Sequence, residues 1–284
     1  MTSASCRERA YLACDLVSNR GLGEGLFSLE VWWRGPRPEP GQFFMLRAAR
    51  SAFLLGRPIS VFAASDTTLT FILAERGGGT IELGGLREGD GIMLEGPLGT
   101  SWASAWAGWG AGPRPSGTSG GPSGTSKAPG GARQNVEQLD ERPLALIGGG
   151  VGLAPVAFLA RTLAPGSYDL HAGFRSGTWG LEGLRPERLL VHTEDGSAGL
   201  RGRVLDGLDA SNYAGICACG PWAMLETVAA LARDAGIPAW ISLERRMACG
   251  VGACLGCSVR CKGGNRRACV EGPIFNAAEV LFDE

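Results

Sequence analysis

Along the first hundred residues, apolar side chains come in short runs, several alternating with polar ones, and turn residues divide them. The runs at 11–17, 25–33, 43–47, 58–63, 69–74 and 91–95 fit strands, and "REGDG" at 87–91 is a tight turn feeding the last of them. Many short strands punctuated in this way predict an antiparallel barrel. From residue 143 the pattern changes. Apolar runs at 144–147, 170–174, 189–192, 215–218 and 239–243 alternate with helical stretches. In the clearest of these, "WAMLETVAALARDAG", Met224, Leu225, Val228, Leu231 and Ala232 share one face, Gly236 suits the C-terminal cap and Pro238 follows it. Strand–helix alternation predicts a parallel sheet with helices on its faces.

Between these regions, residues 110–134 contain no Leu, Ile, Val, Phe or Met. Such a segment cannot bury enough apolar surface to offset its ordering entropy, and it reads as a disordered insertion. The expected organisation is a barrel over 1–104, a Gly/Ser/Pro-rich insertion over 105–142, a nucleotide-type α/β domain over 143–244 and a cysteine-rich tail over 245–284. A chain of 284 residues comfortably holds two cores. Its net charge of −1 argues against a nucleic-acid footprint, which needs a basic excess. The polar stretch 1–9 lacks the apolar core of a signal peptide, and the longest apolar run, 144–160, is too short and too interrupted for a membrane span. A cytoplasmic protein is expected.

Nine cysteines, five of them within 247–269, favour metal ligation or redox chemistry over disulfide stapling. Cys249, Cys254, Cys257 and Cys269 are spaced C-x4-C-x2-C-x11-C, and the first three reproduce the ligand loop of plant-type [2Fe–2S] proteins. The small residues between them suit a loop folded tightly round a cluster. A structural zinc site is the alternative, although zinc usually pairs two C-x2-C knuckles. Cys261 has no partner spacing and reads as a bystander.

In "GRPISVF", Arg57 could pair with a pyrophosphate and Ser60 could hydrogen-bond a flavin ring, although Arg-Pro is also an ordinary strand start. "GGGT" at 77–80 could cradle phosphate oxygens, but a plain hairpin turn is the simpler reading. In "LALIGGGVGLAPVAFLA", Gly148, Gly149, Gly150 and Gly152 permit close approach of a pyrophosphate between strand and helix. "TEDGS" at 193–197, with Glu194 and Asp195, and "CGP", which is Cys219, Gly220 and Pro221, close two further strands. In an open α/β sheet, loops at the strands' carboxyl ends share one crevice. There the acidic pair would repel a 2′-phosphate, which predicts NAD rather than NADP. The two histidines, His171 and His192, fall within strands and read as structural.

In order along the chain, "RPIS", "GGGT", "EGDGIMLEGPLG", "IGGGVGLAP", "GFRS", "TEDGSAGLRG", "CGPWAML", "MACGVGACLGC" and "ACVEGPIF" resemble the electron-transfer subunits of two-subunit, NAD-dependent dihydroorotate dehydrogenases. These belong to the ferredoxin–NADP reductase-like superfamily. The resemblance implies FAD contacts for Arg57, Pro58, Ile59, Ser60, Ile72, Leu73, Ala74, Gly79 and Thr80, and a [2Fe–2S] cluster on Cys249, Cys254, Cys257 and Cys269. It also implies NAD as acceptor and an FMN-containing catalytic subunit as partner, in a heterotetramer of two of each. The tail, with residues 270–275 after the last cysteine, would then dock the partner. Two features depart from the pattern: Ala74 stands where relatives often carry a basic residue, and the 110–134 insertion is foreign to it. A cluster exchanges single electrons and nicotinamide takes a hydride, so a flavin between them has a clear purpose. Competing readings are an NAD-binding subunit of a ferredoxin-linked transhydrogenase or hydrogenase, and a non-catalytic metal-binding redox sensor.

Overall fold

In the computed structural model, residues 8–23, 25–106 and 142–282 are described. Six antiparallel strands form the first unit: β1 (Ala10–Gly23), β2 (Leu26–Trp32), β3 (Phe43–Ala48), β4 (Arg57–Ala64), β5 (Thr68–Ala74) and β6 (Gly91–Leu98). They close into a barrel in the order β1-β2-β5-β4-β3-β6. Inward positions fill it: Leu16, Leu29, Val31, Leu46, Val61, Leu69, Leu73, Ile92 and Leu94 are buried, and Trp33, Phe44 and Phe71 stack edge to face. Closure removes the open strand edges that a sheet of this size would otherwise present. β1 continues to Gly23, where Gly23 pairs with Leu26, so the first hairpin extends beyond the expected 11–17.

Two short helices depart from the sequence reading. Residues 78–84 form a helix, α1 (Gly78–Gly84), where "GGGT" suggested a hairpin turn. Thr80 explains the difference: its hydroxyl donates to the Gly77 carbonyl at 2.9 Å and accepts the Arg76 N–H at 2.8 Å, fastening a first helical turn. After the barrel, α2 (Trp102–Trp106) includes the first two residues assigned above to the insertion. Trp106 is buried and meets Trp240 edge to face, so its indole belongs to the core and cannot join a polar linker. The segment 107–141, which includes all of 110–134, lies outside the described residues.

The second unit is a seven-stranded sheet: β7 (Leu144–Gly149), β8 (Tyr168–Phe174), β9 (Leu189–Thr193), β10 (Leu200–Arg201), β11 (Gly215–Cys219), β12 (Ala239–Ser242) and, from the tail, β15 (Ile274–Asn276). The order is β10-β9-β8-β7-β11-β12-β15, parallel except for β15. β7 and β8 are buried throughout and therefore read as continuous apolar runs without alternation. Helix α3 (Leu153–Ala160) is buried along its whole length. Its Phe158 joins the barrel core while Leu153, Val156 and Leu159 pack on the sheet, so α3 ties the two units together. Helix α4 (Trp222–Ala235) has the expected amphipathic face and ends at Gly236, whose φ of 67° forms a left-handed cap. In the tail, β13 (Ser258–Val259) and β14 (Arg266–Arg267) pair as a small hairpin. Among the described residues no helix is long and apolar enough to cross a membrane.

Candidate functional site

Strands β4 and β5 lie side by side in the barrel and turn their outer ends toward the sheet domain. A cavity of about 420 Å³ opens there. Arg57, Pro58, Ile59 and Ser60 from β4 line it, with Ile72, Leu73 and Ala74 from β5 and Thr80 from α1. Gly79 does not line the cavity but lies beneath Arg57: a methyl group there would overlap the guanidinium. That guanidinium sits 5.4 Å from the Phe53 ring centroid and donates to the Leu55 carbonyl at 2.5 Å, which holds it over the glycine turn. A guanidinium held over this glycine turn fits a pyrophosphate. The apolar walls fit a flat ring system.

A larger cavity of about 810 Å³ lies beyond the carboxyl ends of the sheet strands, where the order reverses between β7 and β11. Gly149, Gly150 and Gly152 line it, together with Glu194, Gly220 and Pro221. Gly150 has a φ of 55° and open space where a side chain would stand, so a ligand can approach the backbone closely. A methyl group on Gly152 would overlap the Cys219 carbonyl, so this glycine lets the loop pack on the end of β11. Gly148, Asp195 and Cys219 are not in the lining. Gly148 is inside β7 against Leu153, and the Asp195 carboxylate turns to the Ser197 hydroxyl and N–H at 2.7 and 2.9 Å. The Cys219 thiol is fully buried, and burial, with the nearby Glu244 carboxylate, pushes its pKa well up. The lining also carries Arg175, Arg203 and Asp206, which the sequence did not single out.

The two cavities share Arg76, Val151 and Glu244. Arg76 follows β5 by two residues, so the first cavity gains a guanidinium although Ala74 carries no charge. Glu244 follows β12. Its carboxylate meets the open cavity while protein surrounds it, and this enclosure raises its pKa against the pull of Arg76. Neither residue was visible as a candidate, because only the approach of β5 to the end of β12 brings them together.

Residues 242–247 form one wall of the smaller cavity, and Cys249 stands two residues beyond Met247. The backbone between them spans at most about 7 Å. The loop that follows packs on the barrel, with Gly250 against Met45 and Leu98. Gly250, Gly252 and Leu255 all have positive φ, at 66°, 83° and 60°. The thiols fall into two pairs. Cys257 and Cys269 are buried with their sulfurs 3.3 Å apart, while the Cys254 N–H points at the Cys249 sulfur at 3.4 Å. Burial opposes ionisation of Cys249, yet N–H groups of Cys254, Val251 and Ala253 and the Cys254 thiol bring it down to about 6. Burial and the neighbouring Cys257 thiol push Cys269 up to about 12. Among the described residues the four thiols do not surround one point as ligands of a single ion would. Cys261 is buried elsewhere, in a bridge with Val280. Of residues 270–275, Val270 and Glu271 are exposed, but 272–275 are buried and lead into β15, so that part cannot form a docking face.

Residues 244–281 match the sequence profile of the iron–sulfur cluster binding domain of dihydroorotate dehydrogenase B. The dihydroorotate dehydrogenase B (NAD(+)) electron transfer subunit of Clostridium acetobutylicum is 32% identical over 96% of this chain and 98% of its own length. The chain belongs to this family. The subunit of the same name from Caldanaerobacter subterraneus subsp. tengcongensis is 30% identical over 96% of this chain and all of its own length. Within the family, the chain is an oxidoreductase subunit. Among solved structures, an NADH-dependent reduced ferredoxin–NADP oxidoreductase, described in connection with flavin-based electron bifurcation, superposes with a TM-score of 0.72 at 25% identity. It covers 95% of this chain and 90% of its own. A ferredoxin–NADP+ reductase from Neisseria gonorrhoeae, with bound FAD and NADP, shares the fold at a TM-score of 0.57 and 15% identity, covering 80% and 92%.

Proposed function

We propose that this chain carries electrons from an FMN-bearing catalytic subunit, which oxidises dihydroorotate in pyrimidine biosynthesis, to NAD+. One observation carries the reading: two cavities meet at Arg76, Val151 and Glu244, and the cysteine loop begins two residues beyond Met247 in the wall of the smaller one. FAD would be held by Arg57, Pro58, Ile59, Ser60, Ile72, Leu73, Ala74 and Thr80, over Gly79, and NAD by Gly149, Gly150, Gly152, Gly220 and Pro221, with Gly148 and Cys219 shaping that loop from behind. Bound FAD supplies the exchange between hydride and single-electron chemistry that neither nicotinamide nor a cluster provides alone. Arg57 neutralises a pyrophosphate, the β4 and β5 side chains orient the ring, and Glu244 with Arg76 sets the charge where the two ligands approach. Cys249, Cys254, Cys257 and Cys269 are the proposed cluster ligands. Their grouping in two pairs suits a two-iron centre, in which each iron takes two thiolates, better than one tetrahedral zinc.

The partner is assigned as an FMN-containing catalytic subunit, two copies of each chain forming a heterotetramer. Exposed Leu255 and Val270, beside the cysteine loop, are where it would dock. We assign the complex to the cytoplasm, whose reducing conditions keep ligand thiols available. The isolated protein is expected to pass electrons from NADH to artificial acceptors without turning over dihydroorotate. Adding the catalytic subunit should create dihydroorotate:NAD activity, and Cys254→Ser should abolish it while sparing much of the NADH:acceptor reaction. Dihydroorotate turnover by this chain alone, or a complex that works without its cluster, refutes the assignment.

A further inference from the structure

The three-cysteine loop and the segment bearing the fourth cysteine are separate stretches of chain, and one side chain joins them. Arg267 donates from its guanidinium to the Gly252 carbonyl at 3.3 Å, reaching across from β14 into the loop between Cys249 and Cys254. Glu271 aims that guanidinium. One of its carboxylate oxygens accepts both the Arg267 side-chain Nε–H at 3.0 Å and the Arg267 backbone N–H at 2.9 Å. The Arg267 carbonyl in turn accepts the N–H groups of Val270 and Glu271 at 3.2 and 2.8 Å, so the carboxylate and guanidinium are fixed by the same turn. Gly252 is close to this turn on its other side as well: a methyl group there would stand 2.7 Å from Val270 Cγ2. Its backbone N–H acts on the Cys269 thiol, and the Cys257 and Cys269 thiols lie within electrostatic reach of Arg267.

We propose that Arg267 is a positioning residue for the cluster: aimed by Glu271, it clasps the three-cysteine loop at Gly252 to the segment bearing Cys269 and holds a positive charge beside the ligands. The proposal rests on the reading of the four cysteines as cluster ligands. It has two separable consequences. The clasp keeps the fourth ligand in register with the other three, so its loss speeds iron release. The charge favours the reduced, more negative cluster, so its loss lowers the midpoint potential.

The test uses the full chain purified anaerobically, with iron release to a chelator and an EPR-monitored redox titration as readouts. Arg267→Gln should release iron roughly tenfold faster, in the range found when a partner of a metal ligand is removed. Its one-electron equilibrium should shift roughly three- to tenfold toward the oxidised form, about 30–60 mV more negative at 59 mV per tenfold. Arg267→Lys keeps the charge but not the fork, so its potential should return toward the wild-type value while iron release stays fast. Glu271→Gln leaves the guanidinium present but no longer aimed, so it should speed iron release. Wild-type retention and potential in Arg267→Gln would overturn the proposal. If that variant does not load, iron release from Glu271→Gln decides: faster release supports the proposal and wild-type release overturns it. A wild-type chain that takes up zinc, or no metal, overturns the ligand reading itself before any variant is compared.

Discussion

Acidification should destabilise this protein through one buried imidazole. His171 is buried in β8, its Nε2 2.9 Å from the Tyr213 hydroxyl. The same hydroxyl accepts from Arg188, whose guanidinium also holds the buried carboxylate of Asp169 at 2.6 Å. Burial lowers the His171 pKa from 6.5 to about 4; Asp169 opposes this, and His192 and Arg188 reinforce it. The folded chain therefore binds fewer protons here than the unfolded chain between these values. The stability is fully present above 6.5 and is lost progressively as the pH falls toward about 4. At 1.36 kcal/mol per pH unit, the gap amounts to roughly 3 kcal/mol. Neighbouring carboxylates and the cluster segment also respond to acid, so the informative quantity is a difference. Urea unfolding of the holoprotein and of His171→Gln should be compared at neutral pH and at several values within the window. At neutral pH the variant is expected to be less stable by about 1 kcal/mol, for the lost bond to Tyr213. This deficit should shrink and then reverse on acidification. A difference that stays constant with pH would refute the reasoning, since it would show that His171 takes up its proton without leaving the fold.

Two further outcomes follow from the cavities. Gly79→Ala places a methyl group where the Arg57 guanidinium lies, so the purified variant should retain markedly less flavin, read from its visible absorption, with little change in iron content; full flavin occupancy would show that Arg57 is free to move. Glu194 lines the larger cavity, where a 2′-phosphate would meet like charge, and NAD(H) should be preferred over NADP(H) by roughly 5- to 30-fold. Glu194→Gln should narrow that ratio. Equal use of both coenzymes by the wild type would mean that Arg175 and Arg203, in the same cavity, outweigh it.

The broad architecture was legible because strands and long helices leave either a repeating pattern or an unbroken apolar run in the sequence. The barrel strands, the buried runs of β7 and β8 and the amphipathic face of α4 all announce themselves in this way. The iron–sulfur segment was legible for a different reason: its cysteines crowd into one short stretch of sequence. Features made by distant approach were not legible. Arg76 and Glu244 are unremarkable in sequence and acquire meaning only where β5 meets the end of β12. α1 is too short to show a helical period, and a run of three glycines looks like a turn until the Thr80 hydroxyl is seen closing it. Gly148 and Cys219 show the converse. They belong to recognisable motifs, yet strand packing turns them into the wall behind the cavity.

β15 gives the cysteine segment an unexpected place in the order of assembly. It follows the fourth cysteine in the chain, yet it pairs antiparallel with β12 and covers an edge of the nucleotide sheet that would otherwise lie open. During synthesis the cysteine loops therefore leave the ribosome before the strand that seals the sheet. The nucleotide domain cannot finish until the metal-binding segment has been threaded past it. A chain that stalls in that interval exposes a strand edge and a set of cysteine thiols together, two features that draw chains into aggregates.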